Sequence, residues 1–410
     1  MKKLLLVLLI LSLFINHLNA NEKDLKIIQK DKKEYRLLDK ESIQTRQQSQ
    51  KYDWISPIDL SGNIGRNHSF SDENSRNLNN KNTKSASIGF TQSIFESGGI
   101  GFKMDYADNR FKYEMLSWEN QNSQLIYTIY NTLLDIKKLK LEINQNDYRI
   151  VNKDIELIIK KIQYEAGKTD IIELNNAIMS KNLILKEEIA LKNSLKEKEQ
   201  ELAKYTDLKY EEIEILDFQG TQKDIFLDKN YSILEADAKV EMLNSEYKIK
   251  KSQYLPKLSL SAKASYSNQD EKFNSMINDT NKDDATSSGS LILSMPLYDY
   301  TKSSKIQESK IEVLKQKALV NDLKNETAFE YEQIFTKIDT YLKQNETINK
   351  NIKLYEELIG ANKISSEAGM TSKYDLEILE NTKTINEFDI LINKINILQQ
   401  YAKLYFKIKN

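Results

Sequence analysis

Few residues in this chain could do covalent or redox chemistry. Its 410 residues include no cysteine and only two histidines, His17 and His68. Thiolate catalysis, disulfides, cysteine metal sites and a lipid-modified N-terminal cysteine are therefore excluded. His17 falls in an apolar leader, which leaves His68 alone and gives a histidine metal site or triad no material. No nucleophile–base set, phosphate loop or metal-ligand spacing occurs, so the chain reads as a non-enzyme with no cofactor and no metal. What does recur is a pair of carboxylates. The pentads Glu165-Ala166-Gly167-Lys168-Thr169 and Glu367-Ala368-Gly369-Met370-Thr371 lie 202 residues apart, and an acid follows each glycine by six residues, Glu173 and Asp375. Glycine there suits the left-handed cap that stops a helix, and the threonine can cap the next one. On spacing alone, Glu173 and Asp375 are first-turn acids favoured by a helix dipole.

The elements that must position them are long helices. From Phe111 to Tyr164 there is neither proline nor glycine, and apolar residues recur every seven positions in two registers. One is Tyr127, Leu134, Leu141, Tyr148, Ile155, Ile162. The other is Ile129, Ile136, Ile143, Ile150, Leu157, Tyr164. Registers two residues apart lie roughly 200° apart around a helix. A helix with seams on nearly opposite sides has a neighbour on each side, as a stave does in a barrel wall. A helix buried all round in a globular core is the competing reading. The polar residues between the seams, Lys137, Lys138, Lys140, Glu142, Asn144, Gln145 and Asn146, argue against it. A second long helix, about Ser303–Ser366, shows one seam: Tyr331, Ile338, Ile352, Ile359 with Ile334, Tyr341, Ile348, Tyr355. Return helices are expected near Asp170–Thr206 and Ser372–Lys407.

Residues 1–20 read as a secretory signal, with Lys2 and Lys3 before the apolar run Leu4–Ile15 and Ala20 at the cleavage end. Its removal leaves 58 basic against 61 acidic residues, a net of −3. That excludes a basic nucleic-acid footprint. With 11 glycines, 3 prolines and 30% charged residues, the chain is mostly long helix. Residues 21–51 read as an N-terminal arm. Strand alternation then appears at Ile58, Leu60, Gly62, Ile64 and at Ala86, Ile88, Phe90. It returns at Leu258–Tyr266 and at Leu291, Leu293, Met295, Leu297. Asn67–Lys84 and Ser267–Ser288 read as loops. The organisation is repeat 1 at 52–206, a linker at 207–224 and repeat 2 at 225–410, an internal duplication.

Pro57 and Pro256 open strands, and Pro296 closes one. Tyr52, Trp54, Phe95, Tyr254, Tyr298 and Tyr300 gather at the same ends, the pattern of an aromatic girdle on a membrane β-barrel. Ordinary strand-end packing is the other reading. Strands of about ten alternating residues can span an outer membrane, but four cannot close a barrel whose practical minimum is about eight. Several copies must contribute. Helices of about 65 residues are about 100 Å long, so they must extend into the periplasm.

This order of elements resembles the TolC-like outer membrane efflux proteins over about residues 52–406. The local marks are Tyr-Glu-Ala-Gly-Lys-Thr-Asp-Ile-Ile-Glu-Leu at 164–174, Tyr-Leu-Pro-Lys-Leu at 254–258 and Ser-Met-Pro-Leu-Tyr-Asp at 294–299. The resemblance implies a mainly α chain with a β-barrel part. Duplicated helical hairpins would form a periplasmic tunnel, and four strands per chain would join a trimeric, twelve-stranded barrel in outer membrane lipid. It implies passive export of drugs or proteins, in a tripartite efflux or type I secretion system. The partners would be a periplasmic adaptor and an inner-membrane pump. Ala166, Gly167, Lys168 and Ala368, Gly369, Met370 would be adaptor-docking tips, and Glu173 and Asp375 would line the constricted entrance. The sequence departs from the family in two places. A second gate acid nine residues after the later glycine is Ile378 here, with Glu377 the nearest acid. A basic residue two after that glycine is Thr371. A secreted periplasmic coiled-coil scaffold or adaptor is the alternative, which fits the helices but not four membrane-type strands.

Overall fold

The computed structural model describes residues 24–69, 79–270, 282–367 and 371–409, so the leader at 1–20 lies outside the described residues. In chain order the elements are α1 (Lys30–Tyr52), β1 (Asp59–Ser69), β2 (Asn79–Phe95), α2 (Gly99–Glu165), α3 (Ile171–Leu202), α4 (Lys223–Asp228), α5 (Tyr231–Ser252), β3 (Lys257–Asp270), β4 (Lys282–Ser294), α6 (Lys302–Glu367) and α7 (Lys373–Phe406). They form two compact units. The helical unit runs to Lys40, over Leu116–Leu234 and from Asn321; the strand-bearing unit comprises Glu41–Met115 and Glu235–Val320.

In the strand-bearing unit, four antiparallel strands pair in sequence order, β1-β2-β3-β4. The strands outrun the expected loops. Pairing reaches Ser69↔Asn79 and Gln269↔Lys282, so the ends of Asn67–Lys84 and Ser267–Ser288 are strand, and their centres lie outside the described residues. The backbone ladder continues where both faces have become polar, and there the period of two is lost from the sequence. β2 enters α2 through a sharp turn. Ser97 and Gly98 are both left-handed (φ 51 and 86), and Ser97 Oγ donates to the Pro256 carbonyl at 2.6 Å. A Cβ on Gly98 would sit 3.1 Å from the Phe102 ring, so conformation and space both require glycine.

In the helical unit, α2 does have a neighbour on each side. Toward α3 it pairs Arg149 with Glu187 at 3.5 Å, Lys160 with Glu173 at 2.9 Å and Asp154 with Lys181. Toward α7 its Tyr148 ring lies 5.9 Å from that of Phe388, and Gln145 donates to Asp389. α7 in turn meets α6 through Asn393 and Asn345 at 2.9 Å and Lys383 and Glu356 at 3.0 Å. The helices therefore stand in the order α3-α2-α7-α6. Leu134, Ile136 and Ile129 are fully buried, and Ile155 nearly so. Two polar positions differ from expectation: Gln145 and Asn146 are buried, because their amides hydrogen-bond to the flanking helices instead of to water. The single seam of α6 holds; Ile334 and Ile338 are buried with Phe226, Leu404 and Ile408 in one cluster.

The arm at 21–51 is largely helix. α1 is so polar that no apolar stripe announced it; hydrogen bonds hold it instead. Arg36 donates to Asn122 at 2.6 Å and to the Trp118 carbonyl at 3.1 Å, and the Trp118 ring N–H returns a bond to the Arg36 carbonyl at 2.8 Å. The stretch read as a linker is anchored too. Phe218 is buried against Tyr130 and Phe406, with ring centroids 5.6 and 5.5 Å away. After it, α4 and α5 are separated at Asn230, whose side chain caps α5 and whose backbone bridges to Ile408.

Glu330 on α6 accepts from Lys403 at 2.8 Å and from Lys407 at 2.5 Å. Burial pushes its carboxyl up, but the two lysines outweigh burial and hold it below the usual range. A depressed carboxyl stabilises the fold above its ordinary value near 4.5 and loses that contribution as pH falls through the folded value. Glu330→Gln should therefore cost roughly 1–2 kcal/mol at neutral pH, discounted for partial exposure, and the gap to the parent should close in acid. Thermal melts of both proteins across pH 3–7 check this.

Candidate functional site

The tip of the first hairpin is fixed by backbone chemistry. α2 ends in a Schellman turn: Gly167 N–H donates to the Tyr164 carbonyl at 2.9 Å and Lys168 N–H to that of Gln163 at 2.8 Å. Gly167 sits at φ +71 with open space around it. Ala166, Gly167 and Lys168 are all exposed. The cap of α3 is Asp170, one residue later than the expected Thr169; its carboxylate accepts from the Glu173 N–H at 2.9 Å. Aspartate at a helix N-terminus adds favourable charge to the hydrogen bond, which a threonine cannot. Glu173 also reaches across the hairpin to Lys160, at 2.9 Å. That lysine was missed because it lies in the preceding helix, thirteen residues from its partner.

At the second tip, Ala368, Gly369 and Met370 lie outside the described residues. α7 is capped by Ser372, again one residue later than the expected Thr371. Its hydroxyl accepts from Tyr374 N–H at 3.2 Å, while Asp375 accepts from Ser372 N–H at 3.3 Å, a reciprocal capping box. Asp375 and Glu377 are exposed. Glu173 is thus ion-paired to Lys160 and Asp375 is engaged with its own helix start. No group of three or more histidine or acidic residues able to hold a metal occurs among the described residues.

The sheet is sorted into two faces by its register. One face carries the rows Leu60–Ile88–Ala264–Ser287, Gly62–Ala86–Tyr266–Ala285 and Gln92–Leu260–Leu291. Leu60 is 79% exposed and Leu293 73%, so this face has no partner among the described residues. The other face is lined with hydroxyls that bridge adjacent strands: Ser61 with Ser87 at 2.8 Å, Thr91 with Ser261 at 3.1 Å and Ser265 with Thr286 at 2.7 Å. Both edges, β1 and β4, are unpaired among the described residues. At the proline-bearing end, Tyr52, Phe95, Tyr298 and Tyr300 are exposed, and Trp54 is half-buried. Tyr254 departs from the girdle reading. It is buried, with the Lys302 ammonium 5.4 Å from its ring centre, and a buried ring does not face lipid. Tyr266, exposed at the far end of the apolar band, was not singled out, because attention to the prolines favours the opposite end.

Residues 224–403 match the family described as outer membrane efflux protein. The fold likeness spans most of the chain. VceC of Vibrio cholerae shares 12% identity at a TM-score of 0.72, covering 93% of this chain and 94% of that one. CmeC of Campylobacter jejuni, an outer membrane channel, shares 12% at 0.69, covering 92% and 84%. The open state of the Neisseria gonorrhoeae MtrE outer membrane channel shares 12% at 0.66, covering 91% and 85%. No curated protein sequence matches. The TolC-like resemblance and the mixed helical and strand fold class therefore stand. Among the described residues no helix is long and apolar enough to cross a membrane.

The Gly167 geometry makes a direct prediction. Gly167→Val forces a β-branched residue into the left-handed region, at a cost of about 1–2 kcal/mol, while Asp170→Ala removes a cap worth about 1 kcal/mol. Both should raise hydrogen exchange at amides 163–173 and leave β1–β4 unchanged.

Proposed function

We propose that three copies of this chain assemble into a passive exit duct, their strands closing one twelve-stranded barrel and their helices lining a periplasmic tunnel. The supporting observation is the sheet itself, apolar on one face, hydroxyl-lined on the other and open at both edges. In lipid every backbone N–H and C=O must be paired, so open edges require another copy. Two copies would supply eight strands, which enclose an interior that side chains just fill; three leave a lumen. The apolar face then meets lipid and the serine-rich face lines the pore. A periplasmic scaffold has no use for such a sheet.

In this reading the Gly167 turn and its counterpart at Gly369 present the tips to a periplasmic adaptor, and an inner-membrane pump supplies the energy. Drugs or proteins are the cargo class, and Tyr52, Trp54, Phe95, Tyr298 and Tyr300 form the girdle. Copies of Asp375 and Glu173 meet near the symmetry axis as rings of like charge, with Glu377 close by. Such rings favour cations. Because Lys160 already neutralises part of Glu173, Asp375 carries more of the field. In planar bilayers Asp375→Asn should therefore lower cation selectivity more than Glu173→Gln, and Lys160→Met should raise it. Reversal potentials unchanged in all three variants would move the entrance elsewhere.

A further inference from the structure

Three levels of polar contact between α2 and α7, spread over Asp135–Asn152, share one antiparallel register; at the far end Ser123 Oγ also donates to the Phe406 carbonyl at 2.5 Å. Gln399 Nε2 donates to Asp135 Oδ1 at 2.7 Å. Gln145 Nε2 donates to Asp389 Oδ1 at 2.7 Å and to the Ile385 carbonyl at 2.9 Å. Asn152 Nδ2 donates to Thr382 Oγ1 at 3.3 Å, and Asn152 Oδ1 accepts from Asn381 at 2.9 Å. Ten and then seven residues forward along α2 correspond to ten and then seven residues back along α7. Gln145 is only 4% exposed.

This register needs such a device. α3 is tied to α2 by the short turn at their tip, so its axial position is set covalently. α7 belongs to the other hairpin, and no turn sets its level against α2. An apolar seam that repeats every seven residues, as Ile129, Ile136, Ile143 and Ile150 do, can slide and still bury itself. A buried amide is satisfied in one register only. Followed toward the tips, the same register sets Asp375 opposite Ile159, next to Lys160, the residue that holds Glu173.

We propose that Asp135–Gln399, Gln145–Asp389 and Asn152–Asn381/Thr382 form a ladder that fixes the axial level of α7 against α2, bringing Asp375 to the level of Glu173. These are positioning residues. The consequence for the entrance rests on the duct reading above; the register does not.

The chain's lack of cysteine makes the test clean. Tyr148→Cys with Phe388→Cys should form a disulfide in the parent. Tyr148→Cys with Thr384→Cys or with Ile392→Cys, one turn either way, should not. Replacing Gln145, Asn152 and Gln399 together by leucine should spread cross-linking from 148–388 to the two shifted pairs. Gln145→Leu alone should do so to a smaller extent, and serves if the triple variant does not assemble. Asn146→Leu is the control. It too is buried, but its Nδ2 faces the Ile184 carbonyl on α3 at 3.4 Å and its Oδ1 has no partner. It should leave 148–388 the sole product and raise thermal stability. Sole cross-linking at 148–388 after the ladder is removed would overturn the proposal. If the pairs redistribute while bilayer selectivity stays unchanged, the ladder stands and the entrance assignment falls.

Discussion

A sheet edge in hydrocarbon leaves a row of backbone donors and acceptors with no partner, and no side chain can repair that. The four strands present two edges that have no partner among the described residues. The remainder of the sheet fits the proposed barrel. Register sends most of the leucine, isoleucine and alanine to one face and most of the serine and threonine to the other, with Ile292 and Ser287 as exceptions. The hydroxyls pair with each other across strands, so that face is satisfied without a single buried charge. Small serines also keep the polar side open, where larger residues would fill it.

The helical unit carries a matching deficit. In the row α3-α2-α7-α6, α2 and α7 stand between two long helices, whereas α3 and α6 stand at its ends. Ile172, Met179 and Leu183 on α3 stay exposed, as do Phe329, Leu342, Leu354 and Ile364 on α6. Apolar residues left open along both outer helices are what a wall segment shows before its neighbours are added. Within the segment, cohesion is mixed. Leucine and isoleucine supply most of the burial, and amides and ion pairs decide which helix meets which, and at what height.

Much of this was legible in the sequence because it rests on periods. Alternation at Leu60–Ile64 and Leu258–Tyr266 gave the strands, and two heptad registers gave a stave with two neighbours. The spacing of Gly167 from Gly369 gave the hairpins, and Gly167 is where the left-handed residue stands. What was not legible rests on single contacts. α1 has no apolar stripe, so its docking through Arg36 and Trp118 left no periodic trace. Gln145 read as a solvent residue because polarity alone does not say whether an amide meets water or Asp389. The caps fell one residue beyond the threonines because Asp170 and Ser372 compete for the same role and make the hydrogen bonds. Tyr254 shared the sequence position of a girdle residue but not its exposure.

The central claim is that copies of the chain assemble, closing edges that have no partner among the described residues. Native mass spectrometry of the protein extracted from outer membranes in mild detergent tests it most directly. The account predicts a complex of three chains that separates into single chains on heating. A folded single chain in detergent, stable on dilution, would contradict it.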